Sequence, residues 1–203
     1  MPLDGRMIWT DIETFGLVPE ESPTVEVGFI ITDLNLIEID RWDIRIWDSP
    51  MYDQHFEQML KDTAHGDDTA AYVLNMHNQN GLWKAAQEEG FSLKEAEAQM
   101  NDWLESHGIR GGKEPMCGSS VGFDQSHIGY WWPSVAKRFH YRVVDVSSYK
   151  EYLAAKYPAH YADLEANWPK RDMHRALPDC EDTISEFKFY DQNFIGLLNP
   201  TVN

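Results

Sequence analysis

The stretch Met7-Ile8-Trp9-Thr10-Asp11-Ile12-Glu13-Thr14-Phe15-Gly16-Leu17 constrains this chain more than any other. It alternates, favours β structure up to Ile12, and stops at a glycine, as a strand running into a turn does. In a strand from Met7 to Glu13, side chains two apart lie on one face, so Asp11 and Glu13 project together at its end. Two carboxylates there make half of a divalent-metal site. With 34 acidic residues in 203, however, roughly half a dozen acid-x-acid pairs arise by chance, and Glu38/Asp40 and Glu95/Glu97 read as solvated charge. The pair needs support from elsewhere in the chain.

Two further strands follow. Val25 to Asp33 is strand-like, Asp33-Leu34-Asn35 supplies turn residues, and Ile37 to Trp47 reads as a hairpin partner. A shift of apolar phase between Ile39 and Trp42 suggests a bulge there. The signal weakens from Asp48 to Gly90, with short helices over Met51 to Lys61 and Thr69 to His77. Ser92 to His107 is clearer: Ser92 and Glu95 make a capping box, Ala96, Met100, Trp103 and Leu104 form an apolar stripe, and Gly108 ends it.

Pro115 to Gly118 reads as a short buried strand, followed by a helix from Gln125 to Tyr130 that is interrupted at Pro133. Asp124 falls at that helix's N-terminus, where it serves equally well as a cap or as a ligand. Arg142 to Val146 is the fifth strand, and Ser148 opens a helix over Tyr149 to Tyr157. Pro158 to Met173 reads as a loop with a short helix at Ala162 to Asn167. A last helix runs from Pro178 to Phe194 with Ile184, Phe187 and Phe194 inward. This order suits a mixed sheet flanked by helices in one α/β domain.

Composition narrows the function. With 42% apolar and 13% aromatic residues the chain can bury one substantial core. It has no apolar run near membrane-spanning length and no charged-then-apolar leader, so neither a span nor export is expected. Cys117 and Cys180 give no disulfide framework, which makes the cytoplasm the natural compartment. The formal charge of −17 leaves few cations for tracking a long strand, so a nucleic-acid substrate would have to be short.

His174 and Asp179 form a second chemical signal. Pro178 prevents one helix from spanning both, placing His174 on an approach loop and Asp179 in the first helical turn. A loop histidine beside metal-binding carboxylates can accept a proton from water near neutral pH. His140 and Asp145 share the spacing, but Asp145 lies inside an apolar strand, which argues for a structural role or an outward-facing side chain.

Four segments together carry a resemblance: Asp11 to Leu17, Gly118-Ser119-Ser120-Val121-Gly122-Phe123-Asp124, His140 to Ser147, and His174-Arg175-Ala176-Leu177-Pro178-Asp179. In this order, over about Met7 to Phe194, they resemble the successive motifs of the oligoribonuclease family, the short-oligonucleotide branch of the DEDD exonucleases. The resemblance implies an RNase-H-like mixed five-stranded sheet flanked by helices, a single exonuclease domain over 1–203 with its core at about 7–196, and a homodimer. It implies 3′-to-5′ cleavage of short single-stranded RNA with two Mg²⁺ or Mn²⁺ ions, and no long duplex as substrate. Asp11, Glu13, Asp124 and Asp179 correspond to the metal-binding acids and His174 to the general base. Four carboxylates offset much of the charge of two such ions, which suits an in-line phosphodiester displacement.

The same resemblance assigns the substrate end. Leu17 matches a leucine that wedges against the bases, and Tyr141 a tyrosine that stacks on a base across the dimer interface. Ser120, Arg142, Ser147 and Ser148 match a cap on the 5′ phosphate, and His77 a further pocket residue. Hydroxyls and one guanidinium can end-bind a phosphate, which gives a physical reason for preferring short substrates. The chain departs from the family at Pro178, where a second acid usually stands, at Phe15, and in extra length around Asp48 to Asp68 and Pro158 to Asp172. Two other readings are a general single-strand 3′ exonuclease on RNA or DNA and a non-catalytic acidic binding protein.

Overall fold

A computed structural model describes residues 5–166, 171 and 173–195, without the side chains of 160, 163, 164, 194 and 195. Five strands form one sheet: β1 (Arg6–Thr14), β2 (Thr24–Asp33), β3 (Glu38–Arg45), β4 (Pro115–Gly118) and β5 (His140–Asp145), in the order β3-β2-β1-β4-β5. The first three are antiparallel neighbours, whereas β4 runs parallel to β1 and β5 parallel to β4. This is the mixed, RNase-H-like sheet that the sequence implied. The carboxyl ends of β1, β4 and β5 consequently lie on one side of the molecule, where ligand sites of α/β sheets form.

Helices cover both faces. On one side Ile8, Ile12, Val27, Phe29 and Ile31 pack against α1 (Met51–Ala64), α2 (Asp68–Gln79), α3 (Leu82–Glu89), α4 (Leu93–Ser106) and α5 (Gly122–Trp131). On the other, Met7, Trp9 and Ile30 pack against α7 (Val146–Lys156), α8 (Pro158–Ala166) and α9 (Ala176–Tyr190), and a short α6 (Pro133–Ala136) follows α5. Burial on both faces is why β2 reads as a nearly continuous apolar run. The two cysteines are free and buried. Among the described residues no helix is long and apolar enough to cross a membrane.

Several boundaries differ from expectation. The register of β2 and β3 passes from Ile31 opposite Asp40 to Thr32 opposite Glu38, so the extra residue is Ile39, at the start of the stretch where the bulge was expected. Helix α3 was missed because Gly81 at its start adopts a left-handed conformation and breaks the apolar period. Asp124 is the third residue of α5 rather than its leading flank. Most of the expected loop after Pro158 is α8, and α7 begins at Val146 with Asp145 as its cap, two residues before Ser148. Helix α9 starts at Ala176, placing Pro178 within the first turn. The inward Phe194 side chain, the helix end at Asn167 and the tail beyond 195 lie outside the described residues.

Candidate active site

Alternation along β1 puts Met7, Trp9, Asp11 and Glu13 on the face covered by α9. Opposite them on β2 stand Gly28, across from Asp11, and Glu26, across from Glu13. Gly28 leaves room for the first turn of α9: a Cβ there would lie 2.9 Å from the carbonyl carbon and the Cβ of Ala176. This close approach carries Asp179 to the strand. Ligand oxygens of Asp11, Glu13 and Asp179 all lie within 4.8 Å of one another, an arrangement able to hold a metal ion.

Asp124 enters from α5, on the opposite layer. It is buried, and it accepts backbone N–H groups of Ile12 and of its own residue. Burial above all pushes its carboxyl up to about 8, against the pull of those bonds. Glu13 is likewise raised to about 8, by burial first and then by Asp179 and Glu26, with Arg175 opposing. Asp11 is raised well above the usual carboxylate range by burial and then by Asp124, Glu13, Asp179 and Glu26. Such mutual repulsion is what a bound cation relieves, and the all-oxygen donor set suits Mg²⁺ or Mn²⁺.

The segment before α9 is gripped from two sides. Glu26 is buried and takes Arg175 in a forked pair, with Nε at 3.0 Å and Nη2 at 2.6 Å, while also accepting Ala176 N–H at 3.0 Å. On the other side Asn80, the C-cap of α2, donates from Nδ2 to the carbonyl of His174 at 2.6 Å. Between these grips His174 sits at φ 48, a left-handed conformation. Non-glycine residues rarely adopt it, and it concentrates at functional sites.

A sequence profile for the exonuclease family matches residues 8–187. The oligoribonuclease of Legionella pneumophila (strain Corby) is 33% identical over 199 residues, which is 97% of this chain and 96% of that protein. That of Paraburkholderia xenovorans (strain LB400) is 31% identical over 192 residues, covering 95% and 84%. The chain belongs to the oligoribonuclease family of exonucleases. Its fold also resembles Escherichia coli exonuclease I in complex with a dT13 oligonucleotide, with a TM-score of 0.64 at 16% identity, covering 96% of this chain and 42% of that one.

The residues that oligoribonuclease likeness assigns to substrate differ in exposure and in the partners they meet. Leu17 is 76% exposed at the tip of the turn after β1, and Tyr141 is 74% exposed on β5, both unusual for large apolar side chains. Phe15, the departure from the family pattern, anchors that turn among Trp47, Tyr52, His55 and Trp83, with ring centroids 4.8 to 6.0 Å away. Ser120 and Ser147 meet with their hydroxyls 3.5 Å apart, Arg142 lies over the ring of Tyr141 at 5.0 Å, and Ser148 is exposed beside them.

His77 is fully buried, 3.5 Å from a Glu13 oxygen and edge-on to Trp83. Burial, then the charges of His174 and Arg175, lower its pKa to about 4, so it is neutral. The Asn80 amide, oriented by its bond to His174, donates to Nδ1 at 3.4 Å, which leaves the ring proton on Nε2 toward Glu13. His174 itself lines a cavity of about 510 Å³ with Tyr72, Met76 and Gln79.

The sequence reading gives no role to Glu26, Gly28 or Asn80. A glycine and a glutamate inside an otherwise apolar strand were the available signals for the first two. Asp145 has the structural role that the sequence offered as one reading: it is partly buried, caps α7, and ties Ser147 to Ser120.

Proposed function

We propose that this exonuclease removes nucleotides 3′ to 5′ from short single-stranded oligoribonucleotides, dinucleotides included. The observation that carries the reading is the convergence of Asp11, Glu13 and Asp179 within 4.8 Å, with Asp124 electrostatically joined to them. These four acids would hold two divalent ions, Mg²⁺ or Mn²⁺, which would supply positive charge to neutralise that developing on the attacking and leaving oxygens of the phosphodiester. His174 accepts a proton from the attacking water, and the grips on either side of it fix its approach. His77, which the resemblance makes a further pocket residue, stands 3.5 Å from a Glu13 oxygen.

Substrate length follows from the ends of the site. Leu17 separates the bases, Tyr141 of a second copy stacks on one of them, and Ser120, Arg142, Ser147 and Ser148 hold a 5′ phosphate. The exposure of Leu17 and Tyr141 supports this assignment, as does the composition, whose 17 basic residues against 34 acidic ones leave few cations for tracking a longer strand.

The test is a time course with Mg²⁺ or Mn²⁺ on 5′-phosphorylated RNAs of two, five and twenty nucleotides, with Asp11→Ala and His174→Ala alongside. Fast cleavage of the dinucleotide, slow cleavage of the longest strand and loss in both variants is the expected result. Equal rates at all lengths would favour a general single-strand exonuclease on RNA or DNA and would discard the capped end. No cleavage with either ion would leave the acidic binding protein.

A further inference from the structure

Asp145 ends β5 and caps α7, but its side chain reaches further than a cap requires. Its Oδ1 accepts the backbone N–H of Ser147 at 3.0 Å and the Ser147 hydroxyl at 2.7 Å. It also accepts the backbone N–H of Ser120, 25 residues earlier in the chain, at 3.0 Å. A helix cap explains the bonds to Ser147. It does not explain the bond to Ser120, which joins the turn after β4 to the junction of β5 and α7.

Ser120 needs that bond. At φ 55 it is, with Leu36 and His174, one of the non-glycine residues in the left-handed region among those described. An L-residue there reverts to ordinary conformations unless its neighbours hold it. Held in place, Ser120 directs its N–H at 3.3 Å and its hydroxyl at 3.5 Å to Ser147 Oγ. The Ser147 hydroxyl proton is in turn committed to Asp145, so the donors of the two turns form one connected set.

We propose that Asp145 is a positioning residue that sets the preference for a terminal phosphate monoester, by holding Ser120 and Ser147 as a pair. The proposal rests on the reading of these serines as a 5′-phosphate cap. Asp145 does not touch the ligand. Asp145 takes up the two backbone N–H groups and the Ser147 hydroxyl proton, so the Ser120 hydroxyl, whose own contact with Ser147 Oγ is 3.5 Å long, is the donor of the set that a phosphate oxygen recruits.

The experiment compares a dinucleotide carrying a 5′ phosphate with the same dinucleotide carrying a 5′ hydroxyl, using the full chain with Mg²⁺ or Mn²⁺. Asp145→Ser is the decisive variant, because serine still caps α7 but is one bond too short to reach Ser120. Asp145→Asn is the rescue, because its Oδ1 still accepts both backbone N–H groups. The wild type is expected to have the lower KM for the phosphorylated substrate. In Asp145→Ser that KM rises about tenfold, the loss falling on KM rather than kcat, while Asp145→Asn keeps most of the preference. A folded Asp145→Ser that retains the wild-type preference, or that loses both substrates equally, overturns the proposal. A wild type indifferent to the 5′ group refutes the phosphate cap itself, and with it any role of Asp145 in the cap.

Discussion

A methyl group at Gly28 would press on Ala176 at 2.9 Å, and Ala176 begins the helix that delivers Asp179. Gly28→Ala is therefore expected to cost about 1–3 kcal/mol by overpacking. Activity should fall further than stability does, because displacing α9 separates the carboxylates. Parallel denaturation and rate measurements check this, and a variant with full activity would show that the close approach is dispensable. Asn80 allows a sharper test. Its Oδ1 accepts Leu82 N–H at 3.0 Å at the start of α3, while Nδ2 holds the His174 carbonyl. Asn80→Asp keeps the first bond and loses the second, so kcat should drop about tenfold or more with α3 intact. An unchanged kcat would free His174 from dependence on Asn80.

At the scale of elements, the buried fork between Glu26 and Arg175 joins the second strand to the last helix. Removing the charge in Glu26→Gln leaves Arg175 underpaired and is expected to cost about 3 kcal/mol, read as a shift in the urea midpoint. The strands and the capped helix α4 were legible from sequence because alternation and the Ser92 to Glu95 box are local signals. Helix α3 and the start of α7 were not, since one opens on a left-handed glycine and the other on an aspartate that closes a strand. The acids of the site could be read from motif order. The groups that grip the segment delivering Asp179 could not, because Asn80 and Glu26 act on partners 94 and 150 residues away. No window of sequence contains both members of such a pair.

For the molecule as a whole, the raised carboxyls link stability to pH and to metal. Glu13 and Asp124 titrate at about 8 when folded and Asp11 is also raised, whereas an unfolded chain releases these protons at about pH 4. Their contribution to stability is therefore fully present below about pH 4 and is lost as pH rises to about 8. In EDTA the melting temperature should fall across that range, and less steeply in Asp124→Asn. Added Mg²⁺ or Mn²⁺ should restore more stability at about pH 8 than at about pH 6, because the ion displaces fewer protons there. Identical slopes for wild type and variant would contradict the raised pKa values. The sheet adds a constraint of timing. Two of the clustered acids come from β1 and the third from α9, so a growing chain holds no assembled carboxylate cluster until the segment through Asp179 has left the ribosome. Up to that point the exonuclease is without its acidic cluster.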